Sequence, residues 1–355
     1  MDLNSEKARK IVHLIWSFGH GGIQVMVTDL ANQQVRDHRV FLVIINRNPS
    51  GELLGLLDKR VKVHRLERRK GSFTPIRYLR LNVLIHLIRP HVIHCHIPDQ
   101  ARLLLFIKRR KLHLTLHDVN KELKDVPRYG KVYSISSSVQ QDLLDRAGIE
   151  SSVIYNGINL EGIRVKKWEQ RDEFRIVVLG RLVHEKKGQD LFIRALAHLI
   201  HTKHVNGLHA TLIGDGESRQ LLEKMAGDLG VADKLSFAGT RDRAYILEHL
   251  RDYDLLVQPS RYEGFGLTVI EGMAAGVPVL VSDIDGPMEI IREGKYGNYF
   301  SSDQEADCAQ KILEIREQAG KAEFRDRVEQ ARLYVLRTFS IESTSDNYCQ
   351  GYFER

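Results

Sequence analysis

The sequence predicts an α/β protein built from two Rossmann-like domains, and three observations carry that reading. Its 355 residues are about what two domains need, each half being long enough to bury its own core. Short apolar runs recur along the chain. Each ends at a polar or glycine-broken turn that opens a helical segment, the order expected of parallel strands joined by crossover helices. Two of these turns, FGHGG at 18–22 and EGFG at 263–266, lead a strand into a helix N-terminus at the carboxyl edge of a sheet, where ligands of such folds collect.

The first strand is KIVHLIWS, and the glycine-rich turn after it opens the helix IQVMVTDLANQQ. Gly19, Gly21 and Gly22 fall short of a dinucleotide fingerprint, because Gln24 stands where its last glycine would be. VFLVIIN and VKVHRLE read as the next strands, with a helix near GELLGLLDKR between them. In residues 73–90, FTPIRYLRLNVLIHLIRP, the residues Ile76, Leu79, Val83, Leu84, Leu87 and Ile88 recur at helical spacing. The ordinary expectation is a core-facing helix with a solvated basic side. The alternative is a basic amphipathic surface for an anionic membrane, which the neighbouring runs LERRK and IKRRK favour.

HVIHCHIPD is expected to be a buried strand ending near His96. Alternation along it points Cys95 away from His94 and His96 and leaves it only the more distant His91, so no metal site is expected. A helix is expected over DQARLLLFIKRRK. The strand KLHLTLHDV after it delivers His117 and Asp118 to the sheet edge, and KVYSIS and the helix SVQQDLLDRAG complete the first domain. The charged stretch from Glu161 to Glu173 reads as the boundary, giving domains over 1–160, with 341–355 returning to the first, and over 161–340.

The second domain opens with FRIVVLGRLVHEKKGQDL. Its Arg181 offers a forked donor and Lys187 a mobile point charge, a pair suited to two phosphates. Lys187 is preferred over its neighbour Lys186 because it directly precedes Gly188. HATLIGDGESRQLL and KLSFAGTRDRAYILEHL each repeat strand, turn and helix. LLVQPSRYEGFGLTVIEGMAAGVPVLVSD then forms a strand, a turn at Gly264 and Gly266, a short helix over 268–275 and another buried strand. That helix N-terminus carries partial positive charge and favours a phosphate. Glu271, about one turn in, can accept two hydrogen bonds from neighbouring ribose hydroxyls, while Glu263 lies ahead of the turn, where an attached sugar would sit. Asp283 and Asp285 make a D-x-D pair, read as turn residues because the basic pair and the helix terminus already supply positive charge.

Two glutamates separated by seven residues with GFGL between them, the Arg181 and Lys187 pair, and the amino-terminal glycine loop together resemble the retaining nucleotide-sugar glycosyltransferases of the GT-B fold, family 4. The resemblance covers nearly the whole chain. It implies two Rossmann-like domains facing across a cleft, with a last helix, Ile341 to Arg355, returning to the first domain after a crossing at Asn156 and Gly157. It implies donor contacts from Gly21 and Gly22, from Arg181 and Lys187, from Gly239 toward the base, and from Gly264, Phe265, Gly266, Leu267 and Glu271. The catalytic roles fall to His117 and Glu263, both toward the donor sugar.

The expected activity is transfer of a sugar from a UDP- or GDP-linked donor to a glycan or lipid-linked acceptor in surface polysaccharide synthesis, with no cofactor and no metal. A nucleotide-sugar epimerase of the same fold and a non-catalytic scaffold are the rivals. Contact with an anionic membrane is held open by the basic runs and the net charge of +7, and no nucleic-acid partner is expected. Residues 1–10 lack the apolar core of a signal peptide, no apolar run approaches the ~18 residues of a membrane span, and Cys95, Cys308 and Cys349 are too widely spaced for a disulfide framework. A cytoplasmic protein, at most resting on the inner face of a membrane, is expected.

Overall fold

The computed structural model describes residues 8–19, 21–69, 75–169 and 171–354. It divides into two compact units. One runs to Asn159 and resumes at Phe339, and the other spans Leu160–Thr338.

In the first unit a seven-stranded parallel sheet has the order β3-β2-β1-β4-β5-β6-β7. Its elements are β1 (Lys10–Ile15), α1 (Gly22–Gln34), β2 (Arg39–Asn46), α2 (Gly51–Gly55), β3 (Lys62–Arg68), α3 (Pro75–Ile88), β4 (Val92–Cys95), β5 (Leu112–Leu116), β6 (Lys131–Ser134), α4 (Ser137–Ala147) and β7 (Ser152–Val153). The apolar runs of the sequence are these strands. β1 and β2 are buried along almost their whole length because helices cover both faces of a parallel sheet. The turn signals also act as read: Ser136 accepts a hydrogen bond from the Val139 N–H as the N-cap of α4, and Gly148 ends that helix in the left-handed conformation.

The second unit holds a six-stranded sheet in the order β10-β9-β8-β11-β12-β13, all of its strand pairs parallel. It contains β8 (Phe174–Leu179), α5 (His184–Lys187), α6 (Gln189–Ala197), β9 (Leu208–Ile213), α7 (Arg219–Asp228), β10 (Leu235–Gly239), α8 (Arg243–His249), β11 (Leu255–Gln258), α9 (Leu267–Ala274), β12 (Val279–Ser282), α10 (Asp285–Ile290), β13 (Asn298–Phe300), α11 (Glu305–Gln318) and α12 (Ala322–Thr338). The last helix, α13 (Ile341–Phe353), belongs to the first unit. There Ile341, Tyr348 and Tyr352 join the core made by α1, β1 and β2, and the Thr344 hydroxyl donates to the Tyr155 carbonyl at 2.9 Å. Each sheet puts its strand C-termini and the turns after them on one edge, which gathers residues from distant parts of the sequence.

Two expectations for the first unit are corrected. The helix expected over 73–90 is α3, residues 73 and 74 lying outside the described residues, but it is rotated about its axis. Ile76, Leu79, Val83 and Leu87 face solvent, at 59, 62, 51 and 75% exposure, whereas Leu81, Asn82, Ile85 and Ile88 are buried. The cause is polar. Asn82 donates to the Leu103 carbonyl at 2.8 Å and accepts from the Leu105 N–H at 2.7 Å, while Arg77 donates to the Leu66 carbonyl. Satisfying those part-buried backbone groups outweighs burying the longer apolar stripe. The same bonds explain why DQARLLLFIKRRK is not an α-helix. It forms 3₁₀ turns over Pro98–Leu103 and Arg109–Lys111, with Phe106 between them at φ 58° and 93% exposed.

Candidate functional site

In the second unit the loops at the carboxyl edge are tied together through backbone. The Gly214 N–H donates to the Gly239 carbonyl at 2.9 Å, Leu182 to Asp215 at 3.0 Å and Arg261 to Lys186 at 2.9 Å. Gly239 ends β10 at φ 70°. Arg181 follows β8 with its side chain exposed, and its carbonyl accepts from the Gln189 amide at 2.9 Å. Lys187 closes α5, and Gly188 after it stands at φ 63°, where a Cβ would overlap the Pro259 carbonyl oxygen. Only glycine lets the Lys187 loop approach the end of β11 so closely.

That approach brings Lys187 onto Glu263, the two forming an ion pair with both side chains largely covered. Of the two adjacent lysines Lys187 makes this pair, while Lys186 lies over the Tyr262 ring at 5.6 Å. Gly264, Phe265 and Gly266 form the buried turn, Gly266 is the N-cap of α9 at φ 131° with no side-chain cap bond, and Leu267 is its first residue. Glu271 is half-buried within α9. The hydroxyls of Ser260 and Thr268 and the Oε1 of Gln258 are buried there without a hydrogen-bond partner among the described residues. Unsatisfied polar atoms are costly in a folded interior, and their grouping about a helix N-terminus fits a place completed by a polar ligand.

Sequence reasoning missed two supports of this turn. Arg261 makes a bidentate pair with Asp190 at 2.8 and 2.9 Å, reaches Asp303 at 2.7 Å and donates to the His184 carbonyl at 2.7 Å. Burial works against charge on Asp190, but the Arg261 and Arg194 guanidiniums hold its carboxyl below the usual range. The other support is Gly286 in α10, where a Cβ would lie 2.7 Å from the Glu263 carbonyl oxygen and 2.8 Å from the Phe265 nitrogen. Arg261 stands two residues before Glu263, yet nothing local marks Asp190, 71 positions away, as its partner. Of the D-x-D pair, Asp283 accepts from the Ser302 N–H at 2.7 Å as a turn residue and Asp285 begins α10.

In the first unit Gly21 is the N-cap of α1 and Gly22 its first residue, both exposed, with no side-chain cap bond. A recess of about 480 Å³ lined by Ser17, Asn46, Arg47, Asn48 and Arg69 opens at the carboxyl edge of β1 and β2. His117 follows β5, and its Nε2 is 3.1 Å from His96 Nδ1. His13, His94 and His96 offer ring nitrogens within 4.8 Å of one another, a spacing that alternation along β4 alone could not reveal because His13 comes from β1. Those nitrogens are engaged: His13 with Gln34 at 2.8 Å and His96 at 3.3 Å, His94 with Thr115 at 2.7 Å and Tyr352 at 2.6 Å. Burial pushes His13 down to about 4 and His117 to about 3, and His94 and His96 well below the ordinary range. Cys95 packs on the other face, where burial pushes its thiol up to about 12.

Two parallel-sheet units, each with a glycine turn at its carboxyl edge and the second with a Lys187–Glu263 pair beside a helix terminus, define the GT-B class of fold. Residues 161–332 match the family model described as glycosyl transferases group 1, and residues 20–161 match that of glycosyltransferase family 4. The chain belongs to this family of GT-B glycosyltransferases.

The lipopolysaccharide core biosynthesis glycosyltransferase LpsE of Rhizobium meliloti is 32% identical over 176 residues, 49% of this chain and 48% of the relative. The uncharacterized glycosyltransferase MJ1607 of Methanocaldococcus jannaschii is 32% identical over 177 residues, 46% of this chain and 44% of the relative. Matching stretches thus span about half the length of these curated relatives. Among solved structures, Anabaena Alr3699/HepE in complex with UDP and glucose superposes with a TM-score of 0.80 at 19% identity, over 97% of this chain and 99% of that one, a likeness of fold.

Proposed function

We propose that the protein is a retaining, metal-independent glycosyltransferase that moves a sugar from a nucleoside-diphosphate sugar, UDP- or GDP-linked, to a glycan or lipid-linked acceptor in surface polysaccharide synthesis. The observation that carries this reading is the Lys187–Glu263 pair set against the Gly264–Gly266 turn at the N-terminus of α9. A cation, a helix terminus and two carboxylates at this spacing suit a diphosphate with a ribose on one side and a sugar on the other. The complex of HepE with UDP and glucose and the role of LpsE in lipopolysaccharide core biosynthesis point the same way.

In this mechanism the glycosidic C–O bond to the diphosphate breaks as the acceptor oxygen bonds to the same anomeric carbon from the same face. The proton of the acceptor hydroxyl passes to the departing phosphate oxygen, so charge and atoms balance without a protein nucleophile. Lys187, Arg181 and the α9 terminus stabilise the negative charge that grows on the leaving diphosphate. Glu263 orients sugar hydroxyls, Glu271 holds the ribose, His117 contacts the sugar, and Gly239 with its loop receives the base through backbone. Gly21 and Gly22 contact the donor from the first unit, and to the acceptor we assign the recess at Arg47 and Arg69, whose cations suit an anionic group. Product analysis by NMR tests the stereochemistry: an anomeric configuration opposite to the donor's would overturn retention.

Contact with an anionic membrane belongs to the same reading. No described helix is long and apolar enough to cross a membrane. The exposed stripe Ile76, Leu79, Val83 and Leu87, with exposed Arg80 on the same helix, and the exposed Phe106 just ahead of Lys108, Arg109 and Arg110 offer apolar surface with cations around it, the composition of an interfacial docking face. Co-sedimentation with vesicles rich in anionic lipid tests it, and absence of binding at low salt would count against it.

A further inference from the structure

The buried histidines of the first unit form a chain with a fixed direction. Gln34, the last residue of α1, turns its Oε1 to His13 Nε2 at 2.8 Å. An amide oxygen only accepts, so the proton of His13 sits on Nε2. A neutral imidazole carries one N–H, which leaves His13 Nδ1 an acceptor, 3.3 Å from His96 Nε2. His96 must then donate from Nε2, its Nδ1 becomes an acceptor, and His117 Nε2, 3.1 Å away, donates to it. The last nitrogen, His117 Nδ1, is left without a proton, and it is shielded from solvent with no hydrogen-bond partner among the described residues. All three rings are held neutral by burial, which keeps the count at one proton each.

We infer that Gln34, His13 and His96 are positioning residues that set the tautomer of His117, so that it meets its ligand through Nδ1 purely as a hydrogen-bond acceptor. Resting on the assignment of His117 to the donor sugar, this names what it recognises: a sugar hydroxyl that gives its hydrogen to Nδ1. The same neutral lone pair is well suited to the positive charge that develops on the sugar ring in the transition state. His94 stands apart from the chain. Its ring packs against that of His96, tilted by 38° with centroids 4.3 Å apart, and its nitrogens go to Thr115 and Tyr352, so it supports His96 without entering the proton order. An anchor at Gln34 and three rings in series make the tautomer a property of the fold and not of the ligand.

The test is the imidazole ¹⁵N spectrum of the intact, ligand-free protein labelled at histidine, which separates protonated from unprotonated ring nitrogens, with signals assigned by through-bond correlation. Expected is the Nε2–H tautomer at His13, His96 and His117, with His117 Nδ1 unprotonated. A protonated Nδ1 at His117 overturns the inference. In Gln34→Met, which removes the anchor, His117 should populate both tautomers. Affinity for UDP-glucose or GDP-mannose, whichever binds, should fall about tenfold with that of the matching nucleoside diphosphate unchanged, the scale of one hydrogen bond to a buried group. A single unchanged tautomer in that variant also overturns it. If instead His117→Ala leaves the preference for nucleotide-sugar over diphosphate unaltered while the tautomers are as expected, the assignment of His117 to the sugar fails and the chain stands.

Discussion

Lys187 and Glu263, 76 positions apart in sequence, close on one another as an ion pair at the carboxyl edge of the second sheet. Each is the other's counter-ion before a donor arrives, and a diphosphate and a sugar would each take one of them. Lys187→Ala and Glu263→Gln should therefore each lower kcat/KM by about 10² or more, as removal of a transition-state charge contact does. Thermal stability should hardly move, because a pair with water on one side contributes ~1 kcal/mol at most. Steady-state kinetics beside thermal melts check this, and a melting loss matching the activity loss would make the pair structural.

Arg261 is a different kind of residue. It joins Asp190, Asp303 and the His184 carbonyl, and its loss would leave the buried Asp190 carboxylate with Arg194 as its one ion-pair partner among the described residues. Arg261→Ala should destabilise the second unit by about 3 kcal/mol and weaken nucleotide binding by releasing the α5 loop. Arg261→Lys should recover little, since an ammonium cannot reproduce the fork. Urea unfolding with nucleotide titration measures both.

Two glycines separate conformation from space. At Gly148, φ 62°, a Cβ would meet nothing within 4 Å among the described residues, whereas at Gly188, φ 63°, it would overlap the Pro259 oxygen. Gly148→Ala should cost about 1 kcal/mol, the ordinary penalty of a left-handed residue. Gly188→Ala should cost several times more and abolish nucleotide binding with it. Equal melting losses would contradict this packing at Pro259.

The first unit should be acid-sensitive. Burial holds His13 and His113 at about 4 and His117 at about 3. These folded values lie below that of an unfolded histidine, so the unfolded chain binds more protons between about pH 4 and 6.5. Stability is then fully present above pH 6.5 and lost as the pH falls toward 4. His13 alone accounts for about 3 kcal/mol at 1.36 kcal/mol per unit. With Trp168→Phe leaving Trp16 as reporter, the urea midpoint should drop between pH 7.5 and 5; coincident curves would contradict the neutral histidine chain.

Replacing Leu79 and Leu87 by Asn should lower vesicle binding about thirtyfold, at ~1 kcal/mol for each side chain withdrawn from the interface. Binding that persists undiminished would place membrane contact elsewhere.

What the sequence made legible was whatever is written locally. Buried strands such as VFLVIIN, the serine and glycine caps of α4 and the glutamate spacing about Gly264 follow from neighbours within a few residues. The rotation of α3 was hidden because its decisive partner, Asn82, bonds to carbonyl and amide groups of residues 103 and 105, and apolar periodicity gives no weight to that. Likewise His94 and His96 could be placed on one face of a strand, but His13 meets them only through the register of β1 on β4, where it stands opposite His94. Arg261 and Asp190 needed the crossing of two loops. Parallel pairing creates such neighbours between distant segments, and no local pattern encodes them.

The most direct measurement is calorimetric titration of the protein with UDP-, GDP-, ADP- and CMP-sugars, with and without a chelator, in the wild type and in Glu271→Ala. The account predicts that one nucleotide class binds, that its affinity survives the chelator, and that Glu271→Ala weakens it about tenfold or more. Absence of binding by every class, binding that requires a divalent cation, or unchanged affinity in Glu271→Ala would contradict it.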